Sequence, residues 1–225
     1  MSEAFTGFPK AGLTFLRDLK DNNEREWFNA RKATYVDDVS APLAALVAGL
    51  ADAMRAARLP LAPNPRKTTF RIYRDVRFSN DKTPYKPWVS FLFHRNGDPA
   101  APGVLYVHVD PKEPFLAAGF YHPEKPVLDA LRAGMLRDPK RFAKLVESLA
   151  SDGVTLMDDE KLVRVPPAFK DAAGTPVEEF VKFKSVIGRR SLAPKTLASA
   201  GLIDEIVAFA TCAKPLLEWG WKALA

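Results

Sequence analysis

The 225-residue chain predicts an α+β fold, with an antiparallel sheet of about four to six strands packed against helices from the N-terminal, middle and C-terminal segments. Three observations predict it. Apolar residues recur at helical spacing near both ends, period-two alternation fills the middle third, and the turns between the alternating runs are rich in Pro, Gly, Asn and Asp. With 47% hydrophobic and 27% charged residues the composition is that of an ordinary globular protein. We expect a single domain over residues 1–225, with N-terminal helices over 10–58, a strand-rich middle over 68–122 and a mixed helical part over 123–225.

Leu13, Leu16 and Leu19 predict a first helix, stopped by Asp21-Asn22-Asn23. Asn23 and Glu26 have the spacing of a capping box, opening a helix whose apolar face is Trp27, Phe28, the stem of Arg31 and Tyr35. Ser40 is expected to cap a third helix carrying Leu43, Leu46, Val47, Leu50 and Met54 on one face, with Pro42 tolerated in its first turn. Pro60, Pro63 and Pro65 then form a stiff, extended connection.

Four strands follow as a meander. The first is Phe70 to Val76, with Phe70, Ile72 and Val76 expected on the core side together with Phe78 of the following turn. In the second, Val89, Phe91 and Phe93 face the core, opposite Trp88, Ser90 and His94. In the third, Leu105, Val107 and Val109 face the core, opposite Tyr106, His108 and Asp110, and Phe115 to Tyr121 makes the fourth. A helix over Glu124 to Met135 and another opened by Asp138-Pro139 come next. Short strands at Leu162 to Val165 and Ser185 to Ile187 flank a helix start at Thr175-Pro176. A long helix from about Ser199 to Leu224, kinked at Pro215, ends the chain.

The lone cysteine, Cys212, rules out an intramolecular disulfide and reads as a small buried hydrophobe in a reducing compartment. The start, MSEAFTGFPK, lacks the basic and apolar regions of a signal peptide, and the longest apolar stretch, Leu43 to Ala51, is short for a membrane span. These features predict a cytoplasmic protein with no membrane partner.

Charge is unevenly placed. From Arg66 to Lys86 there are seven basic residues against two acidic ones, and Lys182 to Lys195 adds five with no acid. Such clusters attract phosphates or another anionic partner. In the first cluster Arg71, Tyr73, Arg74, Asp75, Arg77, Ser79, Asp81, Lys82, Tyr85 and Lys86 are the candidate ligand-binding residues. Arginines and lysines there adjoin a turn whose Asn and Asp residues gather backbone N–H groups into an anion-binding concavity. Lys182, Lys184, Arg189 and Arg190 make a secondary basic segment. The structural alternative is an edge strand protected by charge, with Asp75 or Asp81 pairing with a neighbouring arginine.

RIYRDVRFSNDKTPYKPW, AAGFYHPE, KLVRVPPAFK and FVKFKSVIGRR, in that order, resemble the bacterial and fungal family designated domain of unknown function 2461. The resemblance runs from Phe15 to the last helix and implies no assigned activity. It departs after Phe169, where members tend to carry an Asp-His-Pro-like stretch and this chain has Gly174-Thr175-Pro176.

No Walker loop, dinucleotide-binding glycine fingerprint or GxSxG elbow occurs, no metal site is assigned and no cofactor is indicated. Three function classes remain open. The first is a binder of a phosphate-bearing ligand or nucleic acid through the basic strand-turn motif, with Tyr73, Tyr85 and Trp88 as stacking rings. The second is a hydrolase or transferase on a phosphorylated substrate, using Asp75 or Asp81 with His108. The third is a protein-interaction module that recognises an acidic partner.

Overall fold

Alternation in the middle third builds the sheet. In the computed structural model, which describes residues 4–77 and 80–225, the strands are β1 (Leu61–Ala62), β2 (Val89–Arg95), β3 (Val104–Val109), β4 (Phe115–Phe120), β5 (Thr155–Leu156) and β6 (Val186–Ser191). They form one antiparallel sheet in the order β1-β2-β3-β4-β6-β5. Val89, Phe91 and Phe93 pair with Val109, Val107 and Leu105, and the same row continues into Leu116 and Ala118 of β4. All are buried, as their alternation predicts.

Seven α-helices complete the described fold: α1 (Lys10–Asp21), α2 (Arg25–Ala30), α3 (Lys32–Tyr35), α4 (Ala41–Ala56), α5 (Lys125–Arg137), α6 (Pro139–Ser151) and α7 (Leu202–Ala223). The last runs through Pro215 and lays Leu216, Leu217 and Trp221 against the core face of the sheet. Gly220 permits this approach: a Cβ there would lie 2.1 Å from the ring of Phe120. Asp138 caps α6 as its sequence implies, its side chain accepting the N–H of Arg141 at 3.0 Å.

Five local expectations are corrected. Asn23 does not cap α2, whose N-cap is Glu24. Its amide instead clasps Tyr85, accepting the Tyr85 N–H at 3.0 Å and donating to the Tyr85 carbonyl at 2.9 Å, because a side-chain amide offers the donor and acceptor a peptide group needs. Ser40 does not start a helix either. It ends a π-helical turn, Val36–Ser40, that joins α3 to α4 without a break. The result is a 25-residue helical run, Lys32–Ala56, containing an 18-residue window of mean hydropathy 1.3, long and apolar enough to cross a membrane by length and composition. In the fold its Leu43, Leu46, Leu50 and Met54 are buried, and α4 packs on α7.

The segment Phe70 to Val76 is not a regular strand. Thr69 bridges Phe91 and Tyr73 bridges Tyr85 as isolated pairs. The N–H of Arg74 bonds the Pro84 carbonyl at 2.9 Å and the N–H of Lys86 bonds the Ile72 carbonyl at 2.8 Å, closing residues 72–86 into a ragged hairpin. Pro84 and Pro87 withhold the donors a longer ladder would need. Leu162 to Val165 likewise makes one backbone bond, Leu162 N–H to Lys182, before Pro166 and Pro167 end it, and the segment after Thr175-Pro176 is turns closing in a 3-10 turn at Phe180–Lys182.

Candidate anion-binding surface

The hairpin brings the predicted motif residues together and turns most of them on one another. Arg74 donates to the carboxylate of Asp81 and, at 2.8 Å, to the hydroxyl of Thr83. Asp81 also accepts the Thr83 N–H at 2.9 Å, and these Thr83 bonds, with Arg74 beside them, hold its carboxyl below the usual range. Asp75 takes both Nε and Nη2 of Arg77, at 2.9 and 2.7 Å, and that forked hydrogen bond lowers its pKa to about 2. Lys82 donates to the Val76 carbonyl at 3.0 Å. Tyr85 is buried with its ring stacked on Phe28 at 4.1 Å, while Tyr73 lies exposed beside it. Ser79 and Phe78 lie outside the described residues. The charges of the predicted cradle thus have hydrogen-bond partners within the turn itself.

Arg71 and Lys86 differ. Neither has a carboxylate partner among the described residues. Lys86 donates to the Arg71 carbonyl at 3.1 Å and sits 5.4 Å from the ring centre of Phe70, and burial with Arg71 and Arg74 nearby lowers its pKa. Phe70, expected in the core, is 43% exposed, because the hairpin leaves it on the opposite face of the sheet, edge-on to Tyr106.

The second basic segment is divided by strand geometry. Lys182 pairs with Glu179 and Lys184 is exposed beside β6. Arg190 and Arg189 follow each other in β6 and so face opposite sides. Arg190 lies on the core side, 5.3 Å from the ring centre of Phe209, and donates to the Glu205 carbonyl at 3.2 Å. Arg189 lies on the outer side, its guanidinium 4.0 Å from the ring centre of Phe115, with a buried Nε that has no partner.

Register shows how the outer face is built. Ser90, His108, Phe115 and Ser191 form one row across β2, β3, β4 and β6, and Leu92, Tyr106, Ala117 and Arg189 form the next. The ring contacts of these half-buried side chains are largely with one another: Trp88 to His108 at 5.4 Å and His108 stacked on Phe115 at 4.5 Å, with Arg189 closing the stack. Tyr106 Oη lies 2.8 Å from Nδ1 of His108. Burial, with Arg189 adding to it and Asp110 opposing, lowers the His108 pKa to about 4, so the ring is neutral at pH 7. A neutral ring can lie in one stack with an arginine without repelling it. The small side chain of Ala117 separates Tyr106 from Arg189, and Tyr121, 65% exposed, follows at the end of β4.

The histidines of the chain, His94, His108 and His122, lie apart. His94 and His108 stand in rows four residues apart along β2, about 13 Å. His122, with φ of 40°, lies beyond β4 and pairs with Glu160 at 2.8 Å. No group of three or more metal-ligating side chains occurs among the described residues.

Phe70, Phe115 and Tyr121 are the residues that charge-based reasoning missed. The available signal was the strand alternation itself, which had placed Tyr106, His108 and Trp88 on the non-core side. A family model described as "Conserved hypothetical protein (DUF2461)" matches residues 11–219. No curated protein and no solved structure matches the chain.

Proposed function

The chain belongs to this conserved hypothetical family, DUF2461, and from that premise we propose that it binds single-stranded nucleic acid across the outer face of its sheet. The observation that carries the reading is the spacing of cations that form no salt bridge among the described residues. Lys86 and Arg71 adjoin Phe70 on one side of the face, and Arg189 lies on the other. The Phe70 segment lies next to β2, and the Arg189 guanidinium reaches over Phe115 of β4, so three strand spacings, about 14 Å, separate the two sides. One phosphate cannot reach both; a chain of phosphates can. Exposed Phe70, beside one pair of charges, and Tyr121, just past the end of β4, offer ring surface for bases, and stacking with backbone neutralisation is how single strands are held without a deep pocket.

The test is anisotropy of a labelled ten-nucleotide single strand against salt, with a mononucleotide and a duplex as comparators. Contact with about three phosphates predicts a log–log salt slope near −2, reduced by about 0.7 in Arg189→Ala. A mononucleotide that competes on equal terms, or a slope that Arg189→Ala leaves unchanged, overturns the reading.

A further inference from the structure

The molecule has a second basic feature, far in sequence from the hairpin and on different elements. A cleft of about 570 Å³ opens between the α5–α6 elbow and the C-terminal half of α7. Its wall is apolar and aromatic: Leu145, Pro215 and Trp219, whose ring is braced by Phe142 with centres 4.5 Å apart. Its rim carries Arg137, Arg141 and Lys222, none of which has a carboxylate partner among the described residues. The two acids in the lining are otherwise engaged. Asp138 caps the N-terminus of α6, and Glu218 pairs with Lys214 at 3.5 Å.

We infer that this cleft is a binding site for a small amphipathic monoanion, an aryl or alkyl carboxylate whose apolar body lies on Trp219 and whose headgroup meets the arginines. The volume lies in the range of small-ligand sites, and its apolar wall stands beside three cations that form no ion pair among the described residues. Arg137 and Lys222 stand in the last turns of α5 and α7, where a cation complements the helix dipole. That role accounts for each one singly. It does not require both to line one cleft with Arg141, which belongs to the first turn of α6, where the dipole disfavours a cation. A carboxylate gains from forked contacts to arginine, and its apolar body gains from leaving water.

The site is independent of the proposed nucleic-acid surface and is tested separately. The probes are 2-naphthoate and its neutral amide, 2-naphthamide, titrated into the full-length protein while the indole N–H resonances are followed, with Trp219→Phe assigning the relevant one. Naphthoate is expected to shift the Trp219 signal saturably and naphthamide to bind roughly tenfold or more weakly, the discrimination that charged hydrogen bonds supply. Arg137→Glu combined with Arg141→Glu should abolish the naphthoate response, whereas Lys140→Glu combined with Lys144→Glu, exposed on α6 outside the cleft, should keep it. Equal binding of acid and amide, a shift confined to the other tryptophans, or an undiminished response in the arginine double variant overturns the assignment.

Discussion

The turn half of the hairpin, Arg74 to Thr83, and the outer face of the sheet both carry arginine, yet they treat it in opposite ways. In the turn each guanidinium has an acceptor: Arg74 meets Asp81 and Thr83, and Arg77 meets Asp75. On the sheet Arg189 lies over a ring, and its buried Nε has no partner among the described residues. The same side chain thus serves as a staple in one place and as a half-buried charge held on a ring in the other. What distinguishes the two is the local supply of acids. Asp75 and Asp81 each stand two residues before a partner, Arg77 and Thr83, which lets one carboxylate close a short turn.

The comparison is broken most severely at the base of the hairpin. Tyr85→Ala removes a buried ring from its stack on Phe28, and chemical denaturation should register a loss of about 3–5 kcal/mol. A much smaller loss would mean that the hairpin stands on its own charges. Next in size is Tyr121→Ala on the sheet, where an exposed ring gives up one base: oligonucleotide affinity should fall by about 1–3 kcal/mol while the melting temperature stays put. Arg74→Ala sharpens the contrast from the other side. Its melting temperature should drop by a few degrees with oligonucleotide affinity unchanged, and the reverse pattern would return the turn to the ligand.

A pH dependence is expected on the sheet as well. The native His108 pKa, about 4, lies below its ordinary 6.5, so the unfolded state binds the extra proton between those values. Its contribution is fully present above pH 6.5 and is lost as the pH falls toward 4. Denaturation midpoints measured across that window should decline in the wild type, and His108→Gln should flatten part of the decline. Equal slopes in the two proteins would show that the imidazole titrates normally.

Most of the sheet was legible because its strands are long enough to alternate. Val89 to Phe93 and Leu105 to Val109 each repeat the pattern and left no doubt about which face turns inward. The hairpin was legible as a charged turn but not as a closed one, since whether Arg74 reaches Asp81 or a ligand depends on a backbone path that residue types do not determine. Phe70 was misplaced because period two was extended beyond the point where the ladder stops. Arg189 and Arg190 formed one basic segment in sequence and two surfaces in space, a separation that follows from strand geometry once β6 is known to be a strand. The helical N-terminus misled for a different reason: Ser40 carries the chemistry of a cap, but the π turn around it keeps the helix running.

That π turn also fixes an angular phase. Each residue of an α-helix advances the chain by about 100°, so a turn that accommodates an additional residue resets every side chain before it relative to every side chain after it. Tyr35, just ahead of the turn, lies 5.3 Å from the ring centre of Phe28, while Leu43 and Leu46, just after it, are buried. Deleting one residue between Val36 and Ser40 would leave composition and helicity almost unchanged. It would also swing Tyr35 about a quarter turn away from the aromatic cluster that seats the hairpin, so the clasp on Tyr85 depends on a count of residues as much as on their identity.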